Sequence, residues 1–541
     1  MKCNRRNVLS LVLIVTILMT IAACDQESSR QPPYSPKNAL STFQLPEGYR
    51  IELAASEPLV TDPVEVAFDE DGKMYVVQMD DYPSEKMDDY GEGKEPKSKI
   101  MLLEDKDGDG FYETGTVFAD GLQYANGVMP WKGGVLVTSA PDILFLKDTD
   151  GDGKADVKNV LLTGFAFTNP QLRMGSLRYG LDNWIYGAYS RAGGGKWRKE
   201  FEGKGNPLQF PEKPGQELAK IFPGTNFRVM PDQFKIEPSG GMSQFGLSFD
   251  ASNNQFTDWN NVHIRHVVIN EKYLSNNPFF SIGATMSDIS DHGNAAPVYS
   301  ITKDMLNLHE SEMGHFTSAC GICEYTGDLF KGKYASASFV CEPVSNLVHA
   351  DILSPDGPTF KAERAEKEKE FLASTDSWFR PVNLTVGPDG ALYVVDFYRK
   401  LVEHPDWLAM ADSSGFYTHA GKIKESDFLE GNDRGRIYRI VPKDFKADKK
   451  EVPALSRAGI KELVAYLNHP NKWWRINAQR LLVDHKDENA VPLIKDLLSK
   501  DISPEGKIHA LWTLEGLNAL TDTLLEKSLQ DADPVVKKQA V

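Results

Sequence analysis

The chain has 541 residues, with 60 Lys plus Arg against 77 Asp plus Glu, a formal charge of -17 and 41% hydrophobic residues. That length asks for several domains, or one large domain with an extension. The acidity argues against nucleic acid as a partner and leaves no general basic surface for a membrane.

The amino terminus, "MKCNRRNVLSLVLIVTILMTIAAC", has basic residues, an apolar run too short for a comfortable span, and small residues before a cysteine. Residues 1–23 are expected to be a lipoprotein signal peptide. Ile21, Ala22, Ala23 and Cys24 look like a bacterial lipobox, in which Cys24 would be lipidated and become the first mature residue; a plain secretory signal or a short anchor helix is the alternative. Residues 24–40, polar and Pro-containing, read as a flexible tether. The expected address is the bacterial cell envelope, lipid-anchored, on the periplasmic or outer-surface side.

From 41 to 445 one theme recurs without a strict period. "VEVAFDEDGKMYVVQM", "GSLRYGLDNWIYGAYS", "FGLSFDASNNQFTDW" and "VNLTVGPDGALYVVDFY" each read as strand, turn and strand, three of them with Asp-Gly or Asp-Asn at the turn. Many short strands, 43 glycines and almost no helical stripe before 450 predict an all-β propeller, six-bladed, with seven blades as the alternative.

Two loops in this body are dense in carboxylates, "DKDGDGFYE" at 105–113 and "DTDGDGKAD" at 148–156. Like charges so close need solvation or a cation. The spacing predicts calcium held by Asp105, Asp107, Asp109, the Phe111 carbonyl and Glu113, and by Asp148, Asp150, Asp152, the Lys154 carbonyl and Asp156. An EF-hand would place a Glu at the twelfth position, where Thr116 and Asn159 stand, and apolar strand-like runs flank both loops. The alternative is a pair of acidic surface turns.

After 450, "IKELVAYLNHP", "WWRINAQRLLVDH", "AVPLIKDLLSK", "KIHALWTLEGL" and "LTDTLLEKSL" carry apolar residues at three- and four-residue steps. Residues 450–541 are expected to be HEAT- or armadillo-like helical repeats, cut within a repeat at Val541.

Polar residues crowd at a few strand ends. "WFRPVNL" holds Trp378 and Arg380. "DFYRKLVEHPDW" holds Asp396, Tyr398, Arg399, Glu403 and His404, "GHFTSACG" holds His315, "YSRAGGG" holds Arg191, and "MDDYP" holds Asp81 and Tyr82. Singly each is an ordinary hydrogen-bonder; as a set they read as the lining of a funnel.

"LPEGYRIELAASEPLVTDPVEVAFDEDGKMYVVQM", "HFTSACGICEYTGD", "FVCEPVSNLVH", "EFLASTDSWFRPVNLTVGPDGALYVVDFYRKLVEHPDW" and "DRGRIYRIVPK" together resemble a bacterial family of membrane-bound dehydrogenases with a haem-binding carboxyl end. That family is related to the soluble glucose and sorbosone quinoprotein dehydrogenases, which are six-bladed propellers. The resemblance implies HEAT repeats and a c-type cytochrome after the propeller, a carbohydrate or alcohol as substrate, and electrons passed to cytochrome c. It also implies pyrroloquinoline quinone as cofactor beside calcium. For that chemistry His315 is the expected base with His404 in reserve, and Arg191, Arg380, Arg399, Tyr398 and Asp396 are the expected cofactor contacts.

Covalent haem is not expected within the chain: Cys320-Gly321-Ile322-Cys323 has the thiol spacing, but Glu324 stands where the histidine ligand belongs. Cys341 and His349 give zinc only a faint footing. A disulfide between Cys320 and Cys341 is the plainer expectation, with Cys323 unpaired. Two rival functions remain open, a non-catalytic propeller and solenoid platform binding glycan or protein, and a carbohydrate hydrolase or lyase.

Overall fold

The computed structural model describes residues 31–541 apart from 84–94, 167–169, 191–207, 275–276, 278, 280–283, 304, 306–313, 403–422, 424–425 and 447–452. Residues 1–23, expected to be a signal peptide, and Cys24, Arg191 and His404 lie outside the described residues.

The strands form a six-bladed propeller. Blade 1 runs Pro63–Phe68, Met74–Gln78, Ser98–Glu104, Thr114–Leu122; blade 2 Gly127–Trp131, Gly134–Ser139, Asp142–Lys147, Val157–Leu162; blade 3 Met174–Tyr179, Ile185–Tyr189, Phe227–Met230, Lys235–Pro238. Blade 4 is Leu247–Phe249, Gln255–Trp259, Val262–Val267, Met286–Asp288, and blade 5 is Cys320–Glu324, Ala337–Glu342, Leu347–Asp356, Leu372–Ser374. Blade 6 takes Pro381–Val386, Leu392–Asp396 and Arg436–Pro442 from one end of the domain and Tyr49–Ser56 from the other. The amino-terminal strand therefore closes the ring, pairing Ile51 with Ile440 and Leu53 with Tyr438. Phe43–Gln44 adds an outer strand to blade 5.

The first strand of each blade packs against the first strands of its neighbours all the way round, so these strands wall a central bore. Second strands such as Met74–Gln78 and Leu392–Asp396 are buried along their whole length, sandwiched between blades. Apolar layers fill the gaps: Leu136 and Ile143 of blade 2 meet Leu177, Ile185 and Tyr189 of blade 3. Four of the hairpins between first and second strands share one local device. Asp69 accepts from the Asp71 and Lys73 amides, Asp182 from Trp184, Asp250 from Ser252 and Asn254, and Asp389 from Ala391. A short carboxylate that folds back on its own backbone fixes such a turn, which is why these turns carry Asp.

Six helices follow: α1 Ile460–Tyr466, α2 Lys472–His485, α3 Ala490–Leu498, α4 Pro504–Gly516, α5 Asp522–Leu529 and α6 Pro534–Ala540. Asn471 caps α2 by accepting from the Trp473 amide at 2.9 Å and donates to the Gly387 carbonyl at 3.0 Å. Lys472 donates to the Asp250 carbonyl at 2.8 Å, and Arg480 pairs with Glu70 at 3.0 Å. Helix α2 is thereby fastened to the hairpin turns of blades 1, 4 and 6, and it lies across one end of the bore, where Lys472, Trp473, Ile476, Asn477 and Arg480 help line a cavity of about 200 Å³. Among the described residues no helix is long and apolar enough to cross a membrane.

Candidate functional site in the central bore

At the opposite end the bore widens into a cavity of about 350 Å³. Every blade contributes at or just before its first strand: Val64 from blade 1, Asn126 from blade 2, Gly175 and Ser176 from blade 3, Gln244 and Phe245 from blade 4, Thr317, Ser318 and Cys320 from blade 5, Val382 and Asn383 from blade 6. Met79, Tyr82, Pro170, Gln171, Asn260, Pro343, Val344, Phe397 and Val402 complete the described wall. Side-chain amides and hydroxyls alternate there with apolar and aromatic surface. No described lining residue is Asp, Glu, Lys, Arg or His.

Much of this polar rim is already tied down. Gln171 donates to the Tyr82 hydroxyl at 2.7 Å, and that hydroxyl donates to the Val402 carbonyl at 2.9 Å. Asn126 accepts from Thr138 Oγ1 at 2.6 Å, and Asn383 donates to the Val64 carbonyl at 3.2 Å. Gln244 is different: its Nε2 reaches the Gln171 carbonyl at 3.5 Å, while its buried Oε1 has no hydrogen-bond partner among the described residues. An acceptor left so in a wall of this kind is set to receive a donor from a ligand. Ser176 is left-handed at φ 52°, and a Cβ added at the neighbouring Gly175 would come within 3.1 Å of the Asn126 amide.

One acid stands directly behind the wall. Glu342 Oε2 accepts from the Thr317 and Ser318 amides at 3.1 and 3.0 Å, and burial pushes its carboxyl up to about 8. On the blade 1 side, Asp81 accepts from Ser98 Oγ and from the Tyr124 amide, and burial raises it too.

Few of the residues singled out in the sequence reach this cavity. Arg380 is buried and spends its guanidinium on the carbonyls of Pro343, Val344, Arg399 and Lys400. Arg399 does clamp a carboxylate in bidentate fashion, but the carboxylate is Asp62, at 2.7 Å to both oxygens. Tyr398 donates to Asp376 at 2.8 Å, and Asp396 accepts from the Arg380 and Tyr398 amides at 2.8 and 2.9 Å. These four are therefore corrected from cofactor contacts to internal struts: both guanidiniums are spent on groups of the protein itself, and Tyr398 and Asp396 are hydrogen-bonded within the fold. His315 is exposed on a bridge to Pro297 and does not line the cavity. Cys320 and Cys341 face each other in register across blade 5, yet Cys320, Cys323 and Cys341 are all free thiols, so the expected bridge is not formed. Of the three, only Cys320 reaches the wall, and burial raises its thiol well above the ordinary range.

In the acidic loops, Asp105, Asp107 and Asp109 gather carboxylate oxygens within 4.8 Å of one another, as do Asp148, Asp150 and Asp156. Asp105 also accepts from the Gly108 and Gly110 amides, and Asp148 from Gly151 and Gly153. Glu113 and Asp152 are not in these groups; Glu113 accepts from the Lys106 amide at 3.1 Å and Asp152 from the Lys154 amide at 2.8 Å.

The amides of the wall were missed because Asn and Gln before a strand look like any turn residue. The only signal was positional, a polar side chain recurring just ahead of successive first strands. Residues 35–444 match the family described as a domain of unknown function (DUF7133). No curated protein matches the chain. Among solved structures, the chain is similar to a carbohydrate-active enzyme of family AA12 from Trichoderma reesei (10% identity, 74% of this chain and 98% of that one, TM-score 0.41). It is similar also to the holo form of the pyranose dehydrogenase PQQ domain from Coprinopsis cinerea (12%, 76% and 98%, TM-score 0.39). A third is the PQQ-bound aldose sugar dehydrogenase from Streptomyces coelicolor (12%, 73% and 100%, TM-score 0.36).

Proposed function

The chain belongs to the DUF7133 family, whose description names no activity; from its site we propose that the axial cavity binds the uncharged, polyhydroxylated part of a carbohydrate or alcohol, and that the protein is an envelope oxidoreductase acting on it. The observation that carries the binding half is the wall itself, built of amides and hydroxyls around an unpartnered Gln244 Oε1 with no charged side chain among the described residues. Amides and hydroxyls match hydroxyl-bearing ligands in both donor and acceptor sense, and Tyr82, Phe245 and Phe397 offer apolar surface to the C–H faces of a sugar ring.

The redox half is supported by the sequence resemblance, which also gives cytochrome c as electron acceptor and a lipid-anchored position. Oxidation of an alcohol carbon releases two electrons and two protons, so an acceptor is required. Pyrroloquinoline quinone carries carboxylates that need cationic clamps. The described wall does not fit that group, since Arg380 and Arg399 are committed elsewhere and Arg191 lies outside the described residues. The uncharged wall thus favours one second reading, a glycan-binding platform without turnover.

Calorimetric titration with neutral sugars, sugar acids and amino sugars tests the binding half. Neutral ligands are expected to bind saturably, and Gln244→Leu to weaken them about five-fold, the worth of one hydrogen bond. Binding confined to charged ligands defeats it. Reduction of an artificial acceptor by the bound sugar, with quinone and calcium added, tests the redox half; no reduction with any bound sugar leaves the platform.

Calcium at the two Asp-Gly loops is part of the same proposal. Millimolar Ca2+ is expected to raise the thermal midpoint, with a gain on the order of 2–3 kcal/mol for each loop at a hundredfold excess over its Kd. The pair Asp105→Asn and Asp148→Asn should remove the gain, as read by scanning calorimetry.

A further inference from the structure

Away from the bore, blades 4 and 5 bring three imidazoles and a carboxylate together between their third strands. His263 stands on Val262–Val267, and His349 and Asp351, two residues apart, project from one face of Leu347–Asp356. His292 follows the outer strand Met286–Asp288 of blade 4. His263 Nε2 is 3.0 Å from Asp351 Oδ2, His349 Nε2 is 3.1 Å from Asp351 Oδ1, and His292 Nε2 is 3.9 Å from the same oxygen. One donor atom from each of the four lies within 4.8 Å of all the others.

The far sides of two rings are oriented by carboxylates. His349 Nδ1 meets Glu370 Oε2 at 2.6 Å and His292 Nδ1 meets Asp291 Oδ1 at 2.8 Å, while Arg364 Nη1 holds Glu370 at 3.0 Å. A carboxylate on one nitrogen and a metal on the other is how imidazole ligands are fixed in tautomer and direction. A cluster held only by hydrogen bonds leaves His292 Nε2 unexplained: it is buried, faces Asp351, and has no hydrogen-bond partner among the described residues.

We propose that His263, His292, His349 and Asp351 bind one divalent first-row transition ion of the zinc class, pinning blade 4 to blade 5. Bonds of about 2.0–2.1 Å in a tetrahedron put neighbouring donor atoms about 3.4 Å apart; His349 Nε2 and His292 Nε2 stand 3.1 and 3.9 Å from Asp351 Oδ1, either side of that value, while His263 Nε2 is 3.0 Å from the other oxygen, Oδ2. Three nitrogens and one oxygen favour zinc, copper or nickel over calcium or magnesium, so this site is chemically distinct from the Asp-Gly loops of blades 1 and 2. Four protein ligands close the coordination sphere, which marks a structural ion. Phe316 covers one side, its ring stacked on His263 at 4.4 Å, and the next two residues, Thr317 and Ser318, belong to the cavity wall. The ion would therefore brace the segment that carries that wall.

The full chain, purified without a polyhistidine tag, is expected to retain one equivalent of such an ion by elemental analysis. Stripped with chelator and titrated with Co2+, it should show the visible bands of four-coordinate cobalt with nitrogen ligands, saturating at one equivalent. His292→Ala, at the solvent-facing rim of the cluster, should abolish those bands and weaken Co2+ at least ten-fold. Asp105→Asn with Asp148→Asn should leave both unchanged. Circular dichroism confirms that each variant is folded, and the cobalt titration of the wild-type chain needs no variant at all. A stripped wild-type chain that takes up no Co2+, or bands that survive both His292→Ala and His349→Ala, overturns the site.

Discussion

Replacing Arg399 with Met is expected to cost about 3–5 kcal/mol of unfolding free energy, the usual penalty for stranding a buried charge. Its partner Asp62 is fully buried and held at 2.7 Å through both oxygens. The same guanidinium reaches the Phe428 and Tyr82 carbonyls, at 3.1 and 3.3 Å. Arg399 follows the second strand of blade 6 and Asp62 precedes the first strand of blade 1, so this pair ties blade 6 to blade 1. Burial lifts the Asp62 carboxyl to about 7 even with Arg399 present; without the cation it rises further, and the deficit should shrink as the pH falls and Asp62 takes a proton. Asn is tolerated at position 62, where the backbone is left-handed at φ 42°. Arg399→Met combined with Asp62→Asn should therefore cost less than the sum of the two changes. Urea unfolding of the three variants measures this; additive costs, or a loss under about 1 kcal/mol for Arg399→Met, would refute the reading.

The hairpins were legible because their determinants are local. Asp69, Asp182, Asp250 and Asp389 each fold onto amides two to four residues ahead, and the neighbouring alternation of aromatic and aliphatic residues follows from strands buried on both sides. Ring closure was not legible, because Tyr49–Ser56 finds Arg436–Pro442 almost four hundred residues away and nothing in either stretch names the other. The same limit explains Arg399. Its chemistry, a fork for a carboxylate, could be read from residue type, but whether the carboxylate belongs to a ligand or to Asp62 depends on which blades meet. The histidine cluster shows the limit most clearly: His349 and Asp351 share a strand face in "VHAD", a pattern visible in the sequence, while His263 and His292 join only through the packing of blade 4 on blade 5. The cavity's amides were hidden for another reason. Uncharged polar side chains have no spacing rule, so only the assembled wall reveals them.

A second large effect concerns pH. Near the ends of the second strands of blades 4, 5 and 6 stand Asp258, Glu342 and Asp396, each holding the chain at or next to a first strand: Asp258 accepts from Ile322, Glu342 from Thr317 and Ser318, and Asp396 from Arg380. Burial raises these carboxyls to about 7, about 8 and about 8. In the unfolded chain they titrate near 4. Between those limits the folded state holds protons that the unfolded state has released, so their contribution is complete below about pH 4 and is lost as pH rises through 7 to 8. Unfolding free energy is accordingly expected to fall from pH 6 to pH 9, by up to about 1.4 kcal/mol per pH unit for each group still protonated. Glu342→Gln keeps an oxygen for the Thr317 and Ser318 amides but removes the titration. Its slope should be shallower than that of the wild type, with a relative gain on the order of 2–3 kcal/mol at pH 8. Urea unfolding at fixed ionic strength across this range reads the difference directly. A wild-type chain whose stability is flat or rises with pH, or a Glu342→Gln variant with an unchanged slope, would mean that these acids are ionised in the fold and that the three blades are latched by full negative charges instead.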